Sequence, residues 1–162
     1  MFCGDIDIRI ARDGTWFHEG SPIGRKPLVK LFATVLSRDE GGDYWLVTPV
    51  ERARIRVDDA PFVAIDVDRE GKGRDQRLVF RTNVDDVVAA GPDHPIRVAF
   101  RGPRREPAPY LLVRDRLEAL IGRAVYYRLV DMGTEEAVDG VATLGVWSGG
   151  RFFPLGPLDD DA

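Results

Sequence analysis

The chain has 162 residues, 44% of them hydrophobic and 31% charged, enough for one ordinary domain or two small ones sharing a core. Its 23 basic and 27 acidic residues leave a net charge of −4, which argues against a protein that coats DNA by bulk electrostatics. No stretch approaches the ~20 apolar residues that span a bilayer, the start at Met1-Phe2-Cys3-Gly4-Asp5 lacks the basic and apolar regions of a secretory signal, and Cys3 alone cannot form an intrachain disulfide, so a cytoplasmic location is expected.

Ile6, Ile8 and Ile10 alternate with Asp7 and Arg9, the period-two pattern of a half-buried strand. Asp13-Gly14 then turns the chain into a second strand, Thr15-Trp16-Phe17-His18, and Glu19 to Pro22 reads as a loop. Pro27 suits the first turn of a helix, and Leu28, Leu31, Phe32, Val35 and Leu36 fall on one helical stripe. Beyond Gly41-Gly42, strands are expected at 44–47, 54–57, 62–67 and 78–81, with Gly71-Lys72-Gly73 as a turn. The run 84–90 fits a short helix with Asn83 as its N-cap. A strand at 96–100 leads into the proline-rich segment 102–109, which reads as a linker or long loop because proline cannot donate to a ladder. Hairpins follow at 110–121 and 141–153, the second turning on Gly149-Gly150, with a helix over 123–130 between them. Asp159, Asp160 and Asp161 end the chain as a solvated acidic tail. The whole reads as α+β, mainly β.

Two segments echo each other. Arg12-Asp13 and Gly24-Arg25 recur as Arg114-Asp115 and Gly122-Arg123 at nearly the same interval, each as a hairpin leading into a helix with an arginine at its entrance. The expectation is a repeated hairpin-helix unit in which Arg25 and Arg123 face a shared anion-binding cleft. A second basic concentration, Arg97, Arg101, Arg104, Arg105, Arg114 and Arg116, forms a local patch on an otherwise acidic chain.

No catalytic centre is apparent. Cys3, His18 and His94 are the whole soft-ligand supply and share no close spacing, so no metal is expected. No nucleophile elbow exists, and Ser148 in Trp147-Ser148-Gly149-Gly150 reads as part of a turn. Gly71-Lys72-Gly73-Arg74 lacks Walker spacing and a following helix. No catalytic residue and no cofactor is assigned.

The segments Cys3-Gly4-Asp5-Ile6-Asp7, Asp13-Gly14-Thr15-Trp16-Phe17, Ser21-Pro22-Ile23-Gly24-Arg25, Leu46-Val47-Thr48-Pro49-Val50-Glu51, Phe80-Arg81-Thr82-Asn83-Val84, Val125-Tyr126-Tyr127 and Gly145-Val146-Trp147-Ser148-Gly149-Gly150 resemble a bacterial family known as domain of unknown function 1285. The resemblance implies two consecutive domains with a duplicated core, taken as 1–58 (α+β) and 59–162, the second a pleckstrin-homology-like β-barrel. It also implies a ligand site at the domain interface, for something nucleotide-like, and a role in signal transduction.

The leading reading is therefore a cytoplasmic ligand-binding or signalling module. Among polar residues within or beside the matching motifs, Arg25 and Arg123 would hold an anionic group, Thr48, Glu51, Arg81 and Asn83 would supply hydrogen bonds, and Trp147 a stacking face. The rivals are a protein-protein interaction module, which calls for an exposed apolar patch, and an enzyme acting on a nucleotide or small acid, which calls for clustered acid-base groups or a metal.

Overall fold

The structure, a computed structural model, describes residues 2–158, so the acidic run 159–161 lies outside the described residues. The chain is mostly β, with two α-helices and one short 3-10 turn among the described residues. The first six strands are β1 (Phe2–Ile10), β2 (Trp16–His18), β3 (Ser21–Pro22), β4 (Leu36–Arg38), β5 (Tyr44–Val47) and β6 (Glu51–Val57), with α1 (Lys26–Thr34) between β3 and β4. They form one sheet in the order β3-β2-β1-β6-β5-β4. The next six are β7 (Phe62–Glu70), β8 (Arg77–Thr82), β9 (Val87–Ala89), β10 (Ile96–Arg101), β11 (Glu106–Arg114) and β12 (Leu117–Ile121), ordered β10-β11-β12-β7-β8-β9. α2 (Arg123–Asp131) then leads to a three-stranded antiparallel sheet of β13 (Thr134–Val138), β14 (Val141–Ser148) and β15 (Arg151–Pro157).

The alternation in β1 does what its period dictates. Ile8 and Ile10 are buried, while Asp5 and Asp7 point to the wet face and meet Arg54 and Arg56 of the parallel neighbour β6 at 2.8 Å. These pairs are exposed, so they specify register more than they stabilise. Gly14 closes the β1–β2 hairpin at φ +91°, and a Cβ there would lie 2.6 Å from Asn83 Nδ2, so both the turn and the close approach require glycine.

Ile8, Trp16 and Leu36 of the first sheet, Phe62, Leu78, Phe80 and Leu111 of the second, Leu129 of α2, and Val146, Phe153 and Leu155 of the third belong to one contiguous apolar core. The third sheet is stitched to the second by buried polar contacts. Leu78 N–H donates to Ser148 Oγ at 2.8 Å, Ser148 Oγ donates to Ala90 O at 2.7 Å, and Gln76 Nε2 donates to Trp147 O at 3.0 Å. Ser148 is thus a brace at the end of β14 and is fully buried.

Several local expectations are corrected. Ser21–Pro22, expected in a loop, pairs with β2 as a short edge strand. α1 stops at Thr34; Val35 is its C-cap and Leu36 opens β4, because pairing with Tyr44–Leu46 across the Gly41-Gly42 turn outcompetes two more β-branched or strand-facing helical positions. The buried side of α1 is consequently set by Ala33 with Val29 and Phe32, and Leu31 is 62% exposed. Residues 84–90 form no helix: Val87–Ala89 pair with β8, and Asn83 is no cap but accepts from Val63 N–H at 3.0 Å and donates to Gly14 O at 3.4 Å. The β-branched Val87-Val88 pair fits a ladder as well as a helix face, and tertiary pairing decides. The proline-rich loop shrinks to a turn over 102–105, after which Pro107 and Pro109 lie inside β11. The strand β13 had no counterpart in the sequence reading.

The hairpin-helix echo does not survive as a shared unit. In the first segment the hairpin's first strand, β1, makes the parallel pair, with β6, and β3 intervenes before α1. In the second it is the hairpin's second strand, β12, which pairs in parallel with β7 and runs directly into α2. A repeat exists at a larger scale: β1 to β6 and β7 to β12 have the same strand order and the same pairing senses, each sheet closing on one central parallel pair.

Candidate functional site: an arginine-lined groove

Three chain segments converge where the two halves meet. Arg12 stands in the β1–β2 turn, Arg101 at the end of β10 and Arg123 at the start of α2, and all three line one groove of about 550 Å3. Tyr126 and Tyr127 of α2, Pro107 and Pro109 of β11 and Glu106 complete its walls.

The floor beside the groove is a polar network. Tyr110, buried, donates its hydroxyl to Asp59 Oδ1 at 2.6 Å. Arg101 Nη2 donates to the same hydroxyl oxygen at 2.9 Å, and Arg12 Nε lies 3.4 Å from the other Asp59 oxygen. Burial, reinforced by the Asp59 hydrogen bond, pushes the Tyr110 phenol above its ordinary value, so it stays a donor. Asp59 thereby holds two arginines from different halves at one edge of the groove.

The third arginine of the groove is less committed. Among the described residues Arg123 has no hydrogen-bond or ion-pair partner. α2 begins at Gly122 with no side-chain cap and no acid in its first turn, so its free N–H groups add to the positive potential there. Tyr126 is half-buried and its phenol is raised by burial, whereas Tyr127 is 57% exposed, with its ring centroid 6.5 Å from that of Tyr126.

The proline wall follows from ladder geometry. Leu112 N–H donates to Pro95 O, so alternate β11 residues, Pro107 and Pro109 among them, turn their backbone edge away from β10. On that side β12 pairs with β11 only from Tyr110 onward. The edge facing the groove therefore carries carbonyls but lacks two N–H donors.

Of the residues chosen from sequence, Arg123 lines this groove and Arg25 does not. Arg25 is the exposed N-cap of α1. Thr48 and Glu51 close the β5–β6 turn, Glu51 N–H donating to Thr48 Oγ1 at 3.1 Å, and Glu51 also rims a separate apolar pocket of about 380 Å3 beneath α1. Arg81 is exposed, 3.8 Å from Asp85 and 3.9 Å from Asp66, within an ion chain that runs from Lys26 and Lys30 of α1 to Arg128 of α2. Asn83 is spent on the β1–β2 turn, and Trp147 packs against Phe152 with Arg74 over its ring. The seven residues do not form one site. Arg12 and Arg101 are the groove residues that sequence reasoning did not select, although one belonged to the echo and the other to the basic run. Among the described residues no three His, Cys, Asp or Glu side chains gather as metal ligands, and no helix is long and apolar enough to cross a membrane.

A family model described as the N-terminal domain of DUF1285, a domain of unknown function, matches residues 1–60, and the corresponding C-terminal domain model matches 61–155. The chain belongs to the DUF1285 family. A crystal structure of a DUF1285 family protein from Silicibacter pomeroyi DSS-3 is 53% identical with a TM-score of 0.89, over 96% of this chain and 82% of that one. A second DUF1285 structure, from Shewanella baltica OS155, is 26% identical with a TM-score of 0.58, over 77% of this chain and 91% of that one. No curated protein matches the chain. DUF1285 membership supplies a fold and no activity, so the groove has to be read from its own chemistry.

Proposed function

We propose that the protein is a ligand-binding or signalling module that takes an anionic, nucleotide-like ligand in the groove between its halves. The observation that carries this reading is the convergence of Arg12, Arg101 and Arg123 on one groove, Arg123 without a carboxylate partner among the described residues. Guanidinium forks match phosphate and carboxylate oxygens bidentately, and the α2 N-terminus reinforces them. The exposed Tyr127 ring offers a face on which a base or other planar group stacks. In this reading the second domain, 59–162, acts as a pleckstrin-homology-like scaffold, and the first domain contributes Arg12.

The test is a thermal-shift and calorimetric screen of the full chain against nucleotides, inorganic phosphate and small organic acids, since native-state binding raises apparent stability. A charge-assisted hydrogen bond is worth about 1.5–3 kcal/mol, so Arg123→Ala weakens the best binder about tenfold or more. Arg123→Lys keeps the charge but loses the fork and recovers only part of that affinity. Arg25→Ala leaves it unchanged. Absence of any binder, or one indifferent to Arg123→Ala, refutes the assignment.

A further inference from the structure

A second cleft, of about 620 Å3, separates α1 from the second half of the chain. Pro27 and Leu31 of α1 and Val84 from beyond β8 give it apolar walls, and Lys30, Asp86 and Arg114 give it charge. Two of these charges have no ion pair among the described residues. Arg114 is partly buried; it donates through Nη2 to Ala33 O at 2.6 Å and lies near the Phe62 ring, but among the described residues no carboxylate lies within ion-pair distance of it. Asp86 is also partly buried and has no ion pair among the described residues; its backbone, not its carboxylate, is held by Thr82. Lys30 differs, being paired with Asp85 at 3.2 Å.

Both groups keep part of their surface open to solvent, so each remains accessible to a guest in the cleft. Here a guanidinium and a carboxylate line the same cleft without bonding each other. A simple organic acid entering it would meet Asp86, and a simple amine would meet Arg114. A ligand carrying both charges satisfies both groups. We propose that this cleft binds a small zwitterion of the α-amino-acid type, its carboxylate on Arg114, its ammonium on Asp86 and an aliphatic side chain over Pro27, Leu31 and Val84. Because α1 belongs to the first half and Val84, Asp86 and Arg114 to the second, such a ligand bridges the halves. The site is separate from the arginine-lined groove and does not depend on it.

The experiment is isothermal titration and thermal shift of the full chain with L-leucine, alongside 4-methylpentanoate, isoamylamine and glycine, which lack the ammonium, the carboxylate and the aliphatic body respectively. L-leucine binds saturably and raises the melting temperature, and each of the other three binds about tenfold more weakly or worse. Asp86→Asn removes only the carboxylate charge, and Leu31→Glu alters an exposed side chain, so both variants fold; each weakens leucine binding about tenfold or more. Arg123→Ala leaves it unchanged. Equal binding of 4-methylpentanoate and leucine, no saturable heat at ~10 mM leucine, or affinity that both variants preserve would each overturn the proposal.

Discussion

Replacing Ser148 by alanine tests whether this residue is the brace between the second and third sheets. The side chain is fully buried, its oxygen accepting from Leu78 N–H at 2.8 Å and donating to Ala90 O at 2.7 Å. Alanine leaves a buried N–H and a buried carbonyl unpaired in a space too small for ready rearrangement, since a Cβ on the adjacent Gly149 would already lie 3.0 Å from Ala90 O. An unsatisfied buried donor or acceptor costs about 1–3 kcal/mol, so the pair together costs about 2–6 kcal/mol. For a chain of this length that is a fall in Tm of roughly 4–24 °C. Urea unfolding followed by tryptophan fluorescence reads it as a lowered midpoint with unchanged slope. The exposed Ser37→Ala serves as a control and stays within about 0.5 kcal/mol of the parent. A loss below about 0.5 kcal/mol for Ser148→Ala would show that the brace contributes nothing.

Two further outcomes follow from the same geometry. Gly14→Ala forces a side chain into φ +91° and against Asn83 Nδ2, and costs about 1–3 kcal/mol; an unchanged Tm would contradict the steric argument. Hydrogen bonds from Lys26, then Lys30, hold the Asp85 carboxyl below its ordinary value. A carboxylate lowered on folding contributes its stability in full above the unfolded pKa and loses it as pH falls through the folded one. Stability measured as Tm therefore declines below about pH 4 less steeply in Asp85→Asn than in the parent, and parallel profiles would count against the ion chain.

Strands β1, β2, β14 and β15 were readable because their evidence is local. Ile8 and Ile10 alternate, Asp13-Gly14 turns, and Val141 to Phe153 carries a glycine pair between two apolar runs. The segment 84–90 was not readable, because Val84, two aspartates and then Val87 to Ala90 behind an asparagine fit a capped helix and an edge strand equally, and only pairing with β8 separates them. Pro107 and Pro109 misled for a related reason: proline argues against a strand unless the ladder is open on its side, which local sequence does not reveal. The groove was half legible. Arg123 stood out beside its Gly-Arg motif, but Arg12 and Arg101 reach it only because the β1–β2 turn, the end of β10 and the start of α2 meet at the junction, a fact of topology rather than spacing. Arg25 looked equivalent to Arg123 because the echo compared short motifs, whereas the repeat runs over whole six-stranded sheets.

The prolines of β11 also limit what shape of guest could sit in the groove under the proposed function. An extended peptide adding itself to that open stretch would seek donors and acceptors in alternation, and at Pro107 and Pro109 it finds acceptors alone. Strand addition is thereby blocked along the one face where the arginines and tyrosines are displayed, and so is edge-to-edge self-association of two copies through it. Under the proposed function, the guest would therefore be compact and would bring its own hydrogen-bond donors to the carbonyls and its negative charge to the guanidinium groups.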